Sequence, residues 1–277
     1  MRRTLFTYIT LGVVLMAGMA CSADYKKYTA WSRKGTIAEK DSAAYYFYNR
    51  EDYEKAAFIF EELQGAYRGQ PRAKEVLLRY AYCKYNVGFY VVSAYQFEQY
   101  AKQYPNDERT PEALFQVAYC YYLESAPHYL DQSFTIKAIN QFQLFINRFP
   151  FDKRVDQCSE LMTELRERLA RKAFENANLY FKVENYKAAL TAFEAMTQDY
   201  PDSRYREEAE FLHVKSAVLL AGVSTERRKK NRYLDAIEFY EKFVDKYPSS
   251  VHLKEAEGLY LKAKKNLGKI LAAQASR

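Results

Sequence analysis

The sequence is short of the two residues that build flexible loops. Its 277 residues include only 9 glycines and 7 prolines, which leaves no room for a low-complexity linker or a glycine-rich phosphate-binding loop. No stretch alternates apolar and polar residues as a half-buried strand does, and no hairpin signal is present. These absences argue against a nucleotide-binding fold and favour a chain built from helices.

Residues that carry catalysis or bind metals are also sparse. The three histidines, His128, His213 and His252, have no cysteine or histidine at ligand spacing, which argues against a zinc site. The sequence has no nucleophilic serine motif, and carboxylate pairs such as Glu61 and Glu62 fall where a solvated helix face is expected. We therefore predict that the protein is not an enzyme and uses no cofactor or metal.

Cysteine is rare, with four residues in the chain. Cys83 and Cys120 each follow an Ala-Tyr pair and so occupy equivalent positions in neighbouring copies of the repeat described below. Neighbouring helices lie about 8–10 Å apart, which is too far for a disulfide. We expect both to be buried free thiols, whereas the sequence leaves the state of Cys158 open.

Aromatic side chains are abundant, with 27 tyrosines and 18 phenylalanines, and they recur in a fixed arrangement. Five times, a small residue is followed four, seven and eleven positions later by bulky residues. We call the five small residues the small positions: Ala56, Ser93, Ala138, Ala189 and Ala236. The bulky residues are Phe60, Leu63, Tyr67, Phe97, Tyr100, Tyr104, Phe142, Phe145, Phe149, Phe193, Met196, Tyr200, Tyr240, Phe243 and Tyr247. In the last four copies a proline follows directly: Pro105, Pro150, Pro201 and Pro248.

This spacing places the bulky residues along one face of an α-helix. The small residue lets a partner helix approach closely, and the proline ends the helix because it has no amide hydrogen. Such repetition is typical of stacked helical pairs of the tetratricopeptide type, here with a longer period than the usual ~34 residues.

We predict an all-α fold, a tetratricopeptide-repeat solenoid of about five helix pairs wound as a right-handed superhelix. The predicted repeats span residues 37–68, 69–105, 106–150, 151–201 and 202–248, and residues 249–277 form a C-terminal capping helix. A solenoid offers an extended binding surface, so the predicted role is recognition and scaffolding.

The first twenty residues are of a different kind. Arg2 and Arg3 precede a mostly apolar run and a small-residue end, which indicates a secretory signal over residues 1–20 that is too short to span a membrane comfortably. Cys21 follows directly, as in the lipobox of bacterial lipoproteins, although Gly18 stands where leucine is usual. We predict lipid attachment at Cys21, with residues 21–36 as the lipid-anchor linker. The alternative is an ordinary signal that is cut elsewhere.

The net charge is a weak guide to partners. The formal charge of +7 falls when Arg2 and Arg3 leave with the signal, so the mature chain is only mildly basic. Such a chain could favour acidic partners or anionic head groups. We expect no nucleic-acid partner for an exported protein.

Tyrosine and asparagine recur on the predicted first helices of the early repeats. In tetratricopeptide units, residues eleven, eight and seven positions before the small position commonly face the concave groove. The candidate peptide-binding groove comprises Tyr45, Tyr48, Asn49, Tyr82, Tyr85, Asn86, Tyr119 and Tyr122. Rings and amides on one wall could hold an extended peptide. The alternative is that these tyrosines only pack the inner helices.

A run of cations precedes the fifth small position. The candidate partner-docking segment, which we call the basic segment, is Arg227, Arg228, Lys229, Lys230 and Arg232. We expect it to lie in a long loop before Tyr233. The alternative is a solvated loop without a partner.

Longer runs of residues resemble one family. They are Tyr67-Arg68-Gly69, Ala118-Tyr119-Cys120-Tyr121-Tyr122, Ser125, Pro127, Leu130-Asp131-Gln132, Thr135, Ala138-Ile139, Phe145-Ile146, Phe149-Pro150, Glu164-Leu165-Arg166, Lys172-Ala173, Leu179-Tyr180 and Tyr186-Lys187-Ala188-Ala189. Together they resemble the Bacteroidetes branch of the BamD family, from about Cys21 to Pro248. Ala126 is an insertion relative to that pattern and affects one turn.

The resemblance implies a lipoprotein of the β-barrel assembly machine, lipid-anchored at the periplasmic face of the outer membrane. In such proteins the N-terminal repeats receive the C-terminal strand of unfolded outer-membrane proteins, and the C-terminal repeats dock on BamA. The implied partners are a BamA-like insertase, other subunits of the machine, unfolded outer-membrane proteins and, through the acyl anchor, the membrane.

Two other kinds of lipoprotein share this fold. One coordinates cell-wall synthesis or envelope division, but often carries an N-terminal coiled coil for which residues 22–36 are too short. The other binds glycans for nutrient uptake and needs a far longer chain.

Overall fold

The computed structural model describes residues 23–275, and every regular element in that range is a helix. Helix α1 covers residues 23–34. The others are α2 Ile37–Asn49, α3 Tyr53–Ala66, α4 Ala73–Asn86, α5 Tyr90–Gln103, α6 Thr110–Leu123, α7 Ser133–Arg148, α8 Val155–Lys182, α9 Tyr186–Asp199, α10 Arg206–Gly222, α11 Glu226–Lys246 and α12 Leu253–Ala275. The predicted all-α repeat fold is confirmed, and the handedness of its superhelix stays a prediction.

The chain divides into two compact units. Of the described residues, unit 1 contains 23–125 and 134–158, and unit 2 contains 126–133 and 159–275. Unit 1 therefore holds α1 to α6, nearly all of α7 and the first turn of α8. Unit 2 holds the rest of α8, the helices α9 to α12, and a loop from the α6–α7 connection.

The residues of the repeated pattern form the cores. All five small positions are at most 1% exposed, and the residues seven positions later are at most 2% exposed. The aromatic residue four positions later is fully buried in the first four copies. In the fifth copy Tyr240 is half-buried and stacks on Tyr260, with ring centroids 4.4 Å apart. Each buried ring contributes roughly 1.5–3 kcal/mol relative to an exposed one.

The helices that contain the small positions, each the second of its pair, end where the sequence predicts. Helices α5, α9 and α11 stop one residue before Tyr104, Tyr200 and Tyr247, whose ψ angles of 61° to 65° leave the helical region. A following proline disfavours helical geometry at the preceding residue. In the first copy Arg68 replaces the proline, yet α3 still ends at Ala66, followed by Gly69 with a φ of +81°.

Three connections within helix pairs share one tight turn, which we call the hairpin turn. Each has three residues, and the middle one has a positive φ: Glu51 at 61°, Gly88 at 88° and Glu184 at 61°. Glycine adopts this geometry freely, whereas other residues incur a cost of roughly 1–2 kcal/mol. The other two pairs differ, because residues 124–132 join α6 to α7, and α11 begins about two turns earlier than α3, α5 and α9 do relative to the small position.

The connections between pairs share a second turn. Two positions after each proline, a side-chain oxygen accepts a hydrogen bond from the backbone N–H two residues further on. The acceptors and donors are Asp107 and Arg109 (3.1 Å), Asp152 and Arg154 (2.9 Å), Ser203 and Tyr205 (3.2 Å), and Ser250 and His252 (3.1 Å). The acceptor is aspartate in unit 1 and serine in unit 2.

The segment predicted as a linker is helical over residues 23–34. Its aromatic side chains pack against α2, with Tyr28 stacked on Tyr46 at 4.1 Å and Tyr25 edge-on to Phe47 at 5.9 Å between ring centroids. Helix α1 is thus part of unit 1.

The loop of unit 2 is held by Gln132 within it and by Lys172 of α8. The Gln132 amide donates hydrogen bonds to the carbonyls of Pro127 (2.8 Å) and Leu130 (3.1 Å), and Lys172 Nζ donates to the Leu130 carbonyl (2.5 Å). The loop leaves the Tyr129 and Leu130 side chains exposed.

The three described cysteines, Cys83, Cys120 and Cys158, are free and buried. The expectation for the first two is confirmed. Burial raises the pKa of Cys83 to about 12 and that of Cys120 to about 11, so both thiols stay protonated at neutral pH.

Candidate functional site

The candidate groove residues lie on the C-terminal halves of the first helices of unit 1. The six tyrosines are half-buried and the two asparagines are exposed. We call this set the tyrosine face: Tyr45, Tyr48 and Asn49 on α2, Tyr82, Tyr85 and Asn86 on α4, and Tyr119 and Tyr122 on α6. Partial burial leaves each ring some accessible surface while its position is fixed by packing.

Each ring of the first two helices rests on an aromatic residue of its partner helix. Tyr45 meets Phe60 edge-on at 5.4 Å between ring centroids, and Tyr82 meets Phe97 in the same way at 4.9 Å. Because the two pairs are equivalent, the repeat itself sets the orientation of these tyrosines. Edge-on pairs of this kind add about 0.5–1.5 kcal/mol beyond the area they bury.

The second tyrosine of each helix packs at the hairpin turn. Tyr48 contacts Tyr53 at 5.5 Å, and Tyr85 contacts Tyr90 at 5.6 Å between ring centroids. Tyrosine three residues before the small position therefore supports the ring that precedes the turn. These tyrosines pack the helices and also leave part of their surface accessible, so the two sequence interpretations are compatible.

The third copy has a different ring geometry. Tyr119 stacks on Phe115 at 5.8 Å and on Tyr122 at 5.6 Å, with ring planes within 19° of parallel. All three residues belong to α6, so they form a stack along one helix. The alignment of Ala118-Tyr119-Cys120 with the second copy places the residues correctly in sequence but does not predict this stacking.

The asparagines end their helices. Asn49 is the last residue of α2 and Asn86 the last of α4, and Asn86 Nδ2 donates a hydrogen bond to the Tyr82 carbonyl (2.8 Å). The Asn86 amide is therefore already engaged by the backbone of its own helix.

Arginines and acids, which the tyrosine spacing does not predict, lie among the tyrosines. The Arg72 guanidinium lies 4.8 Å from the Tyr45 ring centroid and that of Arg79 lies 5.0 Å from the Tyr48 centroid. Arg79 Nε donates to Glu75 Oε1 (2.7 Å), and Arg109 Nη1 donates to Glu75 Oε2. A repeated spacing points to the acids, because Glu75 precedes Tyr82 by the same seven positions that separate Glu112 from Tyr119.

Tyrosine hydroxyls join successive first helices. Tyr45 Oη donates to Glu75 Oε1 (3.4 Å), and Tyr82 Oη donates to Glu112 Oε1. Burial, with the nearby Glu75 carboxylate, raises the pKa of Tyr45 to about 12, and burial with the Glu112 hydrogen bond raises the pKa of Tyr82 as well. Burial alone would raise the pKa of Glu75, but hydrogen bonds from Arg109 and Arg79 lower it overall. At neutral pH Tyr45 and Tyr82 therefore stay protonated, and the Glu75 carboxylate stays charged beside Arg79 and Arg109.

The basic segment is not a loop, and the prediction of a loop was wrong. Helix α11 begins at Glu226, after the N-cap Thr225, so all five cations lie in its first two turns. The repeated pattern that begins at Tyr233 marks where α11 packs against its partner helix. Helix α11 extends beyond that contact toward its N-terminus.

Two cations of the basic segment face solvent. Arg227 and Arg228 are exposed, whereas Lys229 pairs with Glu226 (2.6 Å) and Arg232 donates a hydrogen bond to Ser224 Oγ. Cations near a helix N-terminus are unfavourable because the helix dipole is positive there. The helix dipole therefore does not explain why Arg227 and Arg228 stand at the start of α11.

The predicted lipid-attachment residue, Cys21, lies outside the described residues, as does the signal segment 1–20. Within residues 23–275, no helix is both long and apolar enough to cross a membrane. The same part of the chain contains no cluster of three or more histidine, cysteine, aspartate or glutamate side chains placed to hold a metal ion.

The fold and the repeated positions define a helical repeat protein of the tetratricopeptide class, and a tetratricopeptide-repeat family model matches residues 217–250. A second family model, YfiO, described as an outer membrane lipoprotein, matches residues 39–220. The chain belongs to this outer membrane lipoprotein family.

Solved structures with some similarity are also repeat proteins. The TPR2AB domain of yeast Sti1 in its pHSP90 complex is 15% identical, with 82% of this chain and 98% of that chain covered and a TM-score of 0.39. The P58(IPK) TPR domain is 13% identical, with 84% and 57% covered and a TM-score of 0.39. Likeness at this level carries no functional information. The comparison with curated proteins found no match.

Proposed function

We propose that the protein is a non-enzymatic scaffold of the β-barrel assembly machine, of the Bacteroidetes BamD type. It is held by an acyl anchor at Cys21 on the periplasmic face of the outer membrane, after removal of residues 1–20. The observation that carries the proposal is the match of an outer membrane lipoprotein family over residues 39–220. The repeat boundaries predicted from the sequence belong to the same proposal.

The tyrosine face is the proposed site for unfolded outer-membrane protein segments. Rings held by packing offer stacking surface at low entropic cost, and the interleaved arginines can bind a carboxylate. A peptide that ends in an aromatic residue supplies both a ring and a terminal carboxylate. Arg79, which lies beside Tyr48 and pairs with Glu75 through Nε, is the proposed receptor for that carboxylate through its remaining guanidinium donors.

Peptide affinity tests this site. In Tyr82→Ala/Tyr85→Ala, binding of a peptide with a C-terminal phenylalanine should fall roughly 10-fold or more, because each lost aromatic contact contributes about 1 kcal/mol or more. Tyr240→Ala/Tyr260→Ala is the matched control, since it removes a stacked pair from unit 2. Unchanged affinity in a folded Tyr82/Tyr85 variant would refute the assignment. A peptide with an amidated C-terminus separates the contribution of Arg79.

The exposed cations of the basic segment are the proposed docking site for the BamA-like insertase. Two exposed charges placed against the helix dipole favour an acidic patch on a partner as their counterpart. This explanation needs only Arg227 and Arg228, because Lys229 and Arg232 already contact Glu226 and Ser224.

Charge reversal tests the docking site. Arg227→Glu/Arg228→Glu should weaken co-purification of the insertase from gently solubilised membranes, most clearly at low salt. Lys262→Glu/Lys265→Glu on α12 makes the same change in net charge elsewhere in unit 2 and should leave co-purification intact. Equal recovery with both variants would remove the basic segment from the proposal.

Cross-linking in intact envelopes tests the function as a whole. Recovery of a barrel-insertion factor and other subunits of the machine is expected. Recovery of cell-wall synthases instead would replace the proposal with the cell-wall alternative.

A further inference from the structure

Helix α1 has a strictly basic outer stripe. Six of its exposed residues recur three and four positions apart, which places them on one face about 120° wide, and the exposed Asp24 and Tyr25 lie outside that face. The stripe contains two small residues and four cations: Ala23, Lys26, Lys27, Ala30, Arg33 and Lys34. No acidic residue lies within it, and it runs about 17 Å along the helix.

The opposite face of α1 fixes the direction of the stripe. Tyr28 stacks on Tyr46 at 4.1 Å, and Tyr25 meets the fully buried Phe47. Tyr28 also meets Trp31 edge-on at 5.1 Å. Because these rings lock α1 against α2, the stripe stays turned outward from unit 1.

We propose that this stripe lies on a membrane surface and binds the phosphates of anionic lipid headgroups beside the acyl anchor. The proposal rests on lipid attachment at Cys21, which precedes the first stripe residue by two positions. So short a separation keeps α1 within a few ångströms of the bilayer surface. Acyl chains together with a polybasic segment are the usual two-signal arrangement for stable attachment.

The composition of the stripe favours a lipid surface over a protein partner. Protein interfaces are centred on buried aromatic or aliphatic residues, and the stripe has none. Its alanines let the helix backbone approach a flat surface, while the long side chains of Lys26, Arg33 and Lys34 reach the headgroups. Lys27 lies over the Trp31 ring, 4.4 Å from its centroid, at the edge of the stripe. The proposed contact would hold unit 1 against the inner leaflet and fix how the tyrosine face meets incoming chains.

Vesicle binding tests the proposal apart from the acyl chains. The mature chain from residue 21, with Cys21→Ser, contains every described residue and is mixed with phosphatidylethanolamine vesicles with or without phosphatidylglycerol. Binding should require phosphatidylglycerol and weaken with salt. In Lys26→Gln/Lys27→Gln/Arg33→Gln/Lys34→Gln, affinity should fall roughly 100-fold or more, since each cation near an anionic surface contributes about fivefold.

A control variant and a second readout make the outcome decisive. Lys254→Gln/Lys262→Gln/Lys265→Gln/Lys269→Gln removes four exposed lysines of α12 and should bind vesicles as the parent does. Trp31, the only tryptophan, should be quenched by lipids that carry a quencher near the headgroup. Equal losses in both variants, or no preference for anionic vesicles, would overturn the proposal. Neither result would bear on co-purification of the insertase, so the two proposals fail separately.

Discussion

Units 1 and 2 close their repeats with the same turn but with different side chains. After each proline, unit 1 places Asp107 or Asp152 where unit 2 places Ser203 or Ser250, and each accepts a backbone hydrogen bond. The aspartates also pair with arginines, whereas the serines bring no charge. The same backbone geometry therefore carries an electrostatic network in one unit and a neutral hydrogen bond in the other.

The contacts between first helices differ in the same direction. In unit 1, the hydroxyls of Tyr45 and Tyr82 donate to carboxylates on the next first helix. In unit 2, Lys215 on α10 pairs with Glu255 on α12 at 2.6 Å. The tyrosine contacts bring aromatic rings to the surface of unit 1, where Arg109 and Glu75 also form an ion pair. One repeat pattern thus supports a mixed aromatic and charged face in unit 1 and an ion pair between first helices in unit 2.

The largest expected effect tests whether the two units melt separately. Phe97→Ala in unit 1 and Phe193→Ala in unit 2 each remove a fully buried ring, at a cost of roughly 3–5 kcal/mol in the free energy of unfolding. Trp31 fluorescence reports on unit 1 and circular dichroism on both. Phe97→Ala should shift the fluorescence transition in urea more than Phe193→Ala does. Equal shifts would show that the units unfold as one.

Acid should distinguish the two kinds of turn. Hydrogen bonds from Lys74, Arg109 and Tyr100 hold the pKa of Asp107 below its ordinary value. Because the folded pKa is lowered, this stabilisation is present above the unfolded value of about 3.9 and is lost as pH falls below it. Asp107→Asn should cost roughly 2–3 kcal/mol at neutral pH, and its stability should approach that of the parent in acid.

Ser203→Ala in unit 2 is the control for that measurement. It should cost about 1 kcal/mol, with no added pH dependence between pH 3 and 7. A penalty for Asp107→Asn that stayed constant into acid would contradict the electrostatic account of the unit 1 turn.

The smallest effect concerns the side-chain contacts between successive first helices. Tyr82→Phe removes one hydrogen bond to a carboxylate and should cost about 1–2 kcal/mol at any salt concentration. Lys215→Met removes a partly exposed ion pair and should cost at most about 1 kcal/mol, declining at high salt. Thermal melts of both variants at low and high salt check this. A stability cost of Tyr82→Phe that declined at high salt would contradict this difference between the two contacts.

The sequence predicts the repeat fold well because the spacing of small and bulky residues determines which face of each helix is buried and how that helix is oriented against its partner. Ala56, Phe60 and Leu63 illustrate this, since their positions on one face leave only one side that can be buried. The start of α11 could not be predicted in the same way. Its first two turns make few core contacts, so the apolar pattern that marks the other second helices begins only at Tyr233.

The candidate site was predictable in its tyrosines but not in its charges. Tyr45 and Tyr82 repeat at a fixed distance from the small position, whereas Arg72 reaches Tyr45 and Arg109 reaches Glu75 from the next repeat. Contacts between repeats depend on how the helices of successive repeats pack. The spacing of residues within one helix does not predict that packing.

The hairpin turn has a consequence for how this chain can change. The left-handed residue is kept at Glu51, Gly88 and Glu184, where three residues join the two helices of a pair. Three residues, 223–225, also join α10 to α11, but both of those helices are longer than α2 to α5. The two pairs without the left-handed residue are those that have gained length, as the exposed loop around Tyr129 and as the cationic start of α11. New binding features are therefore expected to arise by insertion at these two junctions, while the three tight ones evolve only by substitution.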